Sequence, residues 1–359
     1  MAEYGKRQRR WAAPQLPGLS PAALGVLMAA VLTLLPALLC RGEPLLALEP
    51  SGQEPAVLTP PEQSSPAPGQ SADSTRTVRL LNKEGQVEEL TMADYLWGVV
   101  AAEMPASFRP EALKAQACAA RTYTVDLQAR PSEKHPQADV CADSTCCQAY
   151  TAPALARARW GLNAGEYSGK LTAAIADTDG LGILCDGAPI QALFFSSAAG
   201  RTVDAVEVWG REVSYLKGVD SPEGEEVPNW RTQTTLTPDQ VRQAVLPAYP
   251  EADLSGPPEG WFTGRTENSA GGVASMSVGG VTLTGGQLRS LFSLRSASFT
   301  VTYGEDGFTF ETVGYGHGVG MSQYGANALA AQGKDFKEIL TWYYTGAQVG
   351  ALYSVPQSQ

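Results

Sequence analysis

Positive charge and histidine are both scarce in this sequence. It has 26 lysine and arginine residues against 37 aspartate and glutamate residues, so its formal net charge is −11 at pH 7. Nucleic-acid binding depends on clustered basic residues, and this balance therefore argues against a nucleic-acid partner. An uncharged or mixed-charge polymer stays compatible with it. With only two histidines, His135 and His317, any site that needs an imidazole must use one of them.

A long apolar run occurs near the N-terminus, at residues 19–40, which contain no charged residue. Its length matches the roughly 20 apolar residues that span a bilayer core. Basic residues precede it, so residues 1–18 are predicted to be a cytoplasmic tail and residues 19–40 a single transmembrane anchor that exports the rest of the chain. A cleaved signal peptide is the alternative, although its apolar core usually spans only about 7–15 residues.

The segment after this run contains few apolar residues that could be buried in a core. Residues 41–75 are rich in proline, serine, glutamine and glutamate, a composition typical of a disordered linker. Residues 76–353 then remain for an exported domain, enough for one large domain or two lobes. The chain contains no evident internal repeat.

The first part of the exported domain predicts a hairpin followed by helices. The stretch TVRLLNKEGQVEELT, residues 77–91, is typical of two strands joined by a glycine-containing turn. Thr91 is a suitable N-cap for a helix that ends near Glu103, and Pro110 suits the first turn of a second, alanine-rich helix.

The sequence pattern changes after about Ala173. Short β-prone runs such as IQALFFSSAAG, TVDAVEVWG and VASMSVGGVTL are separated by glycine, aspartate and proline. Ser322 and Asp335 then suit the N-caps of two closing helices. The predicted fold class is α+β, a membrane-anchored domain of two lobes, one helical and one strand-rich, with a substrate groove.

Three cysteines and one histidine crowd together at His135, Cys141, Cys146 and Cys147. Three thiolates and an imidazole form a ligand set typical of structural zinc. Disulfides are the competing interpretation for an exported chain. Adjacent Cys146 and Cys147 cannot both readily bond to Cys141, so disulfides would leave one thiol over or recruit Cys118 or Cys185.

A Cys–His catalytic pair is another possibility that the sequence raises. Cys118 or Cys185 would be the nucleophile and His317 the base. Cys118 lies in the alanine-rich helix, where a free cysteine usually acts as a small buried hydrophobic residue.

One carboxylate, Glu103, stands at the end of the small and apolar run WGVVAAEMPASF, residues 97–108. A glutamate near a helix C-terminus can simply point to water. The alternative is that its apolar setting keeps the carboxyl protonated by desolvation, as a general acid requires.

Several segments resemble one family. AAEMPASFRPEALKAQACAARTY, FFSSAAGRT, VWGREVSYLKGVDS, LTGGQLRSLFSLRSASF and the closing GYGHGVGMSQYGANALAAQ occur in that family's order. They resemble the stage II sporulation protein D family, which is related to amidase-enhancer proteins. The resemblance extends over about residues 77–346.

This resemblance implies a peptidoglycan lytic transglycosylase that acts during engulfment in sporulation. It would cleave the MurNAc–GlcNAc bond of glycan strands already stripped of stem peptides and leave 1,6-anhydro-MurNAc ends. The family's catalytic glutamate matches Glu103. Stage II sporulation proteins P, an amidase, and M are the implied partners. The implied location is the mother-cell septal membrane, with the N-terminus cytoplasmic and the catalytic domain facing the forespore.

The resemblance also implies substrate-contact residues near Glu103. Arg121, Tyr215 and Lys217 match family positions. Arg121 and Lys217 would contact substrate hydroxyls or the lactyl carboxylate, or would orient loops, and Tyr215 would be a groove-lining hydrogen-bond donor. For Arg121 a structural ion pair with Asp94 or Asp126 is the alternative, and for Tyr215 it is ordinary packing.

His317 is flanked by Gly316 and Gly318, and so much glycine suits a sugar-binding edge of the groove. A tight structural turn before the Ser322-capped helix is the alternative explanation.

The resemblance finally supports zinc as a structural cofactor, bound by His135, Cys141, Cys146 and Cys147. Some relatives bind zinc with histidine at the position of Cys146, and zinc accepts thiolate in its place. A non-catalytic, glycan-binding amidase enhancer is the alternative function.

Overall fold

A computed structural model describes residues 71–353 of the protein. The predicted cytoplasmic tail and membrane anchor, residues 1–40, lie outside this part, as do residues 41–70 of the predicted linker. Among residues 71–353, no helix is both long enough and apolar enough to span a bilayer.

The described chain is a mixed α and β structure that begins with the predicted hairpin. Strands β1 (Thr77–Leu81) and β2 (Val87–Thr91) are antiparallel, and β3 (Val140–Cys141) pairs parallel to β1. The alternation of buried and exposed residues along β1 fits a sheet with one covered face.

The two predicted helices follow. In α1 (Met92–Glu103) the Thr91 side chain accepts the backbone N–H of Asp94, so the predicted N-cap is confirmed. Helix α2 (Pro110–Ala129) begins at the predicted proline. Its alanine face is fully buried, and the short side chains let neighbouring helices approach closely.

Two helices that the sequence did not predict pack against these. Helices α3 (Pro153–Trp160) and α4 (Ala164–Ala176) contact α1, and α4 also contacts α2. A small antiparallel sheet joins this region to the C-terminus. It is made by β4 (Leu181–Cys185), β5 (Ala188–Pro189) and β14 (Gln348–Ala351).

The predicted strand-rich lobe contains fewer and shorter strands than expected at its start. The run IQALFFSSAAG contributes only β6 (Phe194–Phe195), which pairs with β13 (Met321–Ser322). The run TVDAVEVWG, predicted as a strand, instead contains helix α5 (Ala205–Trp209). Gly210 ends this helix in the left-handed conformation that glycine favours at this position.

The strand-rich lobe proper has its own core between residues 231 and 313. One sheet consists of β11 (Phe299–Gly304), β12 (Gly307–Val313) and β7 (Arg231–Leu236), all antiparallel. The other consists of β10 (Val281–Thr284), β9 (Val273–Val278) and β8 (Phe262–Glu267). Helices α6 (Pro238–Val245) and α7 (Gly285–Leu291) each begin with a capping box. The aromatic centre of this core includes Trp261, Phe292, Phe308 and Phe310.

The chain closes with two capped helices, as predicted. Ser322 accepts the N–H of Gly325 at the start of α8 (Gln323–Ala331). Asp335 forms a capping box at the start of α9 (Phe336–Tyr343). Both helices pack on α2, so the first and last parts of the domain share one core.

The folded region begins before the predicted boundary at residue 76. Asp73, in a short 3₁₀ turn at Asp73–Thr75, is only 1% exposed. The Asp179 carboxylate accepts the backbone N–H groups of Ala72 and Asp73. Residues 71–75 are therefore ordered structure and not the disordered linker that their composition predicted.

Candidate active site

Glu103 is the last residue of α1 and is held by two hydrogen bonds. Its Oε1 accepts the backbone N–H of Ala149 at 2.7 Å, and its Oε2 accepts Nε2–H of Gln323 at 3.2 Å. Ala149 follows the cysteine cluster, and Gln323 ends the glycine-rich closing motif at the start of α8. Glu103 thus lies where three separate segments meet.

Burial raises the pKa of Glu103 above its ordinary value. The hydrogen bonds from Ala149 and Gln323 oppose this effect, because they stabilise the ionised carboxylate, but desolvation is the larger influence. Among residues 71–353, no lysine, arginine or histidine forms an ion pair with Glu103 within 4.0 Å. The site therefore favours a carboxyl that is protonated at higher pH than an exposed glutamate.

Glu103 opens into a cavity of about 500 Å³. Polar side chains in the wall include Tyr123, Arg289, Tyr315 and Gln323, and the rest is largely small or apolar. Glu103 is the one aspartate or glutamate among the described residues that line this cavity. The arrangement therefore offers a single acid, surrounded by hydrogen-bond donors and aromatic rings.

His317 lines the same cavity, so the glycine-rich motif around it forms part of the cavity edge, as the sequence suggested. Its Nε2–H donates to the carbonyl of Phe194 at 3.2 Å, and its Nδ1 accepts the backbone N–H of Val319 at 3.2 Å. Burial, aided by the positive charge of Arg289, lowers its pKa to about 4. His317 is therefore neutral near pH 7 with both ring nitrogens engaged, so it forms part of the wall and is not a free base.

Gly316 shows why glycine is needed beside His317. Its φ is +125°, and a Cβ atom there would lie 2.6 Å from Cβ of Phe195. Any other residue would clash with the strand that supports the imidazole.

The structure brings the predicted ligand cluster together beside the Glu103 cavity, whose wall includes Cys146 and Cys147. The ligand atoms of His135, Cys141, Cys146 and Cys147 all lie within 4.8 Å of one another. A tetrahedral ion with bonds of about 2.3 Å needs ligand atoms about 3.8 Å apart. The four side chains can therefore hold a metal ion after small adjustments.

The histidine is also oriented for such a role. Nδ1 of His135 lies 3.2 Å from the carbonyl of Ala138, which fixes the proton on that nitrogen. Its Nε2 is then left facing the thiols, 3.3 Å from Sγ of Cys147. No disulfide joins any of the cysteines in the described part of the chain.

Comparison with known proteins shows which family contains this arrangement of residues. A family model described as stage II sporulation protein matches residues 81–184, a segment that includes Glu103 and the cysteine cluster. Over 264 residues the chain is 38% identical to stage II sporulation protein D of Bacillus subtilis strain 168, a match that covers 73% of this chain and 75% of the relative. This chain belongs to the stage II sporulation protein D family. The resemblance seen in the sequence motifs is confirmed.

Two further relatives extend the comparison. Stage II sporulation protein D of Bacillus amyloliquefaciens is 37% identical over 264 residues, 73% of this chain and 75% of the relative. The amidase enhancer of Bacillus subtilis is 27% identical over 308 residues, which cover 70% of this chain but 39% of the enhancer. The family is thus a sporulation family with an amidase enhancer among its relatives.

The structure of this family member corrects the prediction for Arg121. Arg121 is fully buried, and its guanidinium pairs with the Asp73 carboxylate at 2.6 Å and donates to the carbonyl of Leu181 at 2.8 Å. It does not line the Glu103 cavity. Arg121 is therefore a structural ion-pair residue, but its partner is neither Asp94 nor Asp126.

Tyr215 and Lys217 do not line the Glu103 cavity either. The Tyr215 hydroxyl accepts the backbone N–H of Gln191 at 3.0 Å. Lys217 Nζ lies 2.9 Å from Glu212 and 3.9 Å from Asp204. The structure gives both residues protein partners, and it does not bring them to Glu103 as the resemblance implied.

The Cys–His catalytic pair does not form. Cys118 is fully buried, and burial raises the pKa of its thiol to about 11. The contacts of His317 are with Phe194, Phe195, Val319 and Trp209, and neither Cys118 nor Cys185 is among them in the described structure.

The sequence did not identify four polar residues of the cavity wall, Tyr123, Arg289, Tyr315 and Gln323. Gln323 ends the recognisable GHGVGMSQ motif, so that motif was the available signal for it. Arg289 lies within the family-like segment LTGGQLRSLFSLRSASF, but nothing in that segment singles it out, because only the tertiary fold brings it to the Glu103 cavity.

One prediction arises from the Arg121 ion pair. Replacing Arg121 with methionine leaves the buried Asp73 carboxylate without its cationic partner, and we expect a loss of about 3–5 kcal/mol in the free energy of unfolding. Arg130→Gln removes an exposed ion pair with Asp126 and should cost less than about 1 kcal/mol. Urea unfolding of both variants measures the difference, and equal costs would contradict a structural role for the buried pair.

Proposed function

We propose that this protein is a lytic transglycosylase that cleaves the MurNAc–GlcNAc bond of peptidoglycan glycan strands. The observation that carries the proposal is the single carboxylate in the cavity, with its pKa raised by burial. Most glycosidases need two carboxylates, one as acid and one as nucleophile or base. A transglycosylase needs one, because the nucleophile is a hydroxyl of the substrate itself.

Glu103 begins the reaction as a general acid. Its proton passes to the glycosidic oxygen, the bond to C1 of MurNAc breaks, and GlcNAc leaves with a free hydroxyl. The resulting carboxylate is stabilised by the N–H groups of Ala149 and Gln323.

The same carboxylate then acts as a base. It takes the proton from the C6 hydroxyl of MurNAc as that oxygen bonds to C1, which closes a 1,6-anhydro ring and restores the protonated Glu103. No water is consumed, and no second protein carboxylate is required.

The ligand cluster fits a structural zinc ion. His135, Cys141, Cys146 and Cys147 would hold it, and four protein ligands leave no open position for a water nucleophile. The ion would cross-link the loop that carries Ala149, whose N–H holds Glu103 in place. Its contribution would be to the geometry of the acid, not to the chemical steps.

The cellular setting is proposed from family membership. The protein would act in engulfment at the mother-cell septal membrane, with the catalytic domain outside the cytoplasm. Its glycan substrate would be stripped by an amidase, and stage II sporulation proteins P and M would be its partners.

A second candidate function is supported by the amidase-enhancer relative. In that case the cavity would bind glycan without cleaving it and would assist an amidase. Incubation of the purified protein with amidase-stripped glycan strands separates the two functions. Cleavage that depends on Glu103 supports the enzyme, and binding without cleavage supports the enhancer.

The pH dependence of the reaction gives a further prediction. Because Glu103 must be protonated to act as an acid, kcat should fall as the pH rises through its pKa in the complex with substrate. The Gln323 amide lowers that pKa by stabilising the carboxylate. Gln323→Leu should therefore raise the pKa and move the alkaline limb of the pH profile to higher pH.

A matched variant controls for the loss of an amide. Gln332→Leu changes an exposed glutamine just after α8 and should leave the alkaline limb where it is. An alkaline limb that stays in place, or moves to lower pH, in Gln323→Leu would contradict the role assigned to this hydrogen bond.

A further inference from the structure

Arg289 stands out in the Glu103 cavity because it has no acidic partner. Its Nε–H donates to the carbonyl of Arg295 at 3.1 Å, and no ion pair joins its guanidinium to a carboxylate anywhere in residues 71–353. Arg231, Arg242 and Arg265 of the same lobe each pair with an aspartate or glutamate, whereas Arg295, which also has no ion pair within the described residues, lies over the Tyr315 ring. The terminal nitrogens of Arg289 are thus available to a ligand.

The surroundings of Arg289 make an unpaired charge costly. The side chain is half-buried, and burial lowers its pKa from the ordinary value. A partly desolvated cation that lacks a protein counter-ion gains more from an incoming anion than an exposed arginine does.

Arg289 also lies where two cavities meet. It lines the Glu103 cavity and a neighbouring cavity of about 660 Å³ whose wall includes Trp209, Tyr249 and Asn268. His317 lines both as well. A polymer that passes Glu103 into the larger cavity would place one of its repeating units beside the guanidinium.

We propose that Arg289 binds the lactyl carboxylate of MurNAc and thereby selects glycan strands that have lost their stem peptides. The inference rests on the proposed function, since it concerns the substrate of the same cavity. In peptide-bearing strands the lactyl carbonyl is an uncharged amide, and an amidase converts it to a carboxylate. A guanidinium binds a carboxylate through two charge-assisted hydrogen bonds, which an amide cannot provide.

This assignment replaces the one that the sequence suggested. Arg121 and Lys217 were the candidates for the lactyl carboxylate, but both already pair with protein carboxylates and neither lines the cavity. Arg289 is the arginine that lines the cavity in the described structure.

The test compares two ligands that differ in one charge. Dissociation constants are measured for a stripped GlcNAc–MurNAc oligomer with free lactyl carboxylates and for its methyl ester. The full chain is used in a Glu103→Gln background, so that no ligand is cleaved. We expect the free acid to bind about tenfold more tightly than the ester, or better.

Variants at position 289 identify the residue responsible. Arg289→Gln should bind the free acid only as tightly as the ester, and Arg289→Lys should keep part of the preference because it keeps the charge. Arg231→Gln, which removes an exposed arginine of the same lobe, should behave like the parent protein. Thermal unfolding of each variant verifies that the fold is intact.

The outcomes separate this inference from the proposed function. An Arg289→Gln variant that loses affinity equally for acid and ester would show a structural role only, and a parent protein that does not distinguish them would also overturn the inference. An Arg289-dependent preference, in a protein whose intact Glu103 yields no anhydro products, would support the inference while contradicting the transglycosylase.

Discussion

Glu103→Gln is expected to abolish the cleavage of amidase-stripped glycan strands. General acid–base catalysis contributes about 10²–10⁴-fold, and here one residue supplies both the acid and the base step, so we expect a loss at the upper end of that range. The glutamine amide has nearly the same shape but can neither donate the acidic proton nor remove one from the C6 hydroxyl. Turnover is measured by release of soluble glycan, and binding by co-sedimentation with strands.

The affinity of Glu103→Gln for glycan determines how its loss of turnover is interpreted. We expect Glu103→Gln to keep its affinity for glycan, because the cavity wall around it is unchanged. Glu311→Gln, the same substitution at an exposed position of β12, serves as the matched control and should retain full turnover. If Glu103→Gln cleaved glycan at the normal rate, the enhancer function would account for the site better than the enzyme does.

Removal of the proposed zinc ion is expected to have the second large effect. A structural zinc site contributes about 10–16 kcal/mol of binding free energy in small zinc-dependent peptides, so its loss should strongly destabilise the loop around Cys146 and Cys147. We expect about one equivalent of zinc per chain, and a marked drop in melting temperature after treatment with a chelator or in Cys147→Ser. Because Ala149 follows this loop and holds Glu103, turnover should fall with it.

Cys185→Ser is the matched control for the cluster. Cys185 is a half-buried free thiol outside the ligand set, so its replacement should change neither the zinc content nor the melting temperature. Metal analysis under reducing conditions is the direct measurement. Less than about a tenth of an equivalent of any transition metal would contradict a structural metal site.

Local signals made much of the helical part predictable from the sequence. Thr91, Ser322 and Asp335 are N-caps because their side chains satisfy N–H groups three or fewer residues away, which a sequence shows directly. The candidate metal-ligand set could also be predicted from spacing, because His135, Cys141, Cys146 and Cys147 lie within one short segment. Helices α3 and α4 were missed, although they complete the core around α1.

Contacts between segments that are distant in the sequence could not be predicted from such local signals. Nothing near Arg121 indicates that its partner is Asp73, which lies in a run whose composition is typical of a linker. Gln323 and Arg289 reach the Glu103 cavity only because the closing helices and the strand-rich lobe fold back on α1 and α2. Family motifs pointed to Glu103 as the candidate acid, but the tertiary structure was needed to identify its neighbours.

Mass spectrometry of the reaction products is the most direct test of the central claim. The purified protein would be incubated with amidase-stripped glycan strands, with Glu103→Gln treated in parallel. We predict 1,6-anhydro-MurNAc ends from the protein with Glu103 and none from the variant. Reducing MurNAc ends would contradict the account, since they would require a water nucleophile and a second catalytic group that the described cavity does not supply.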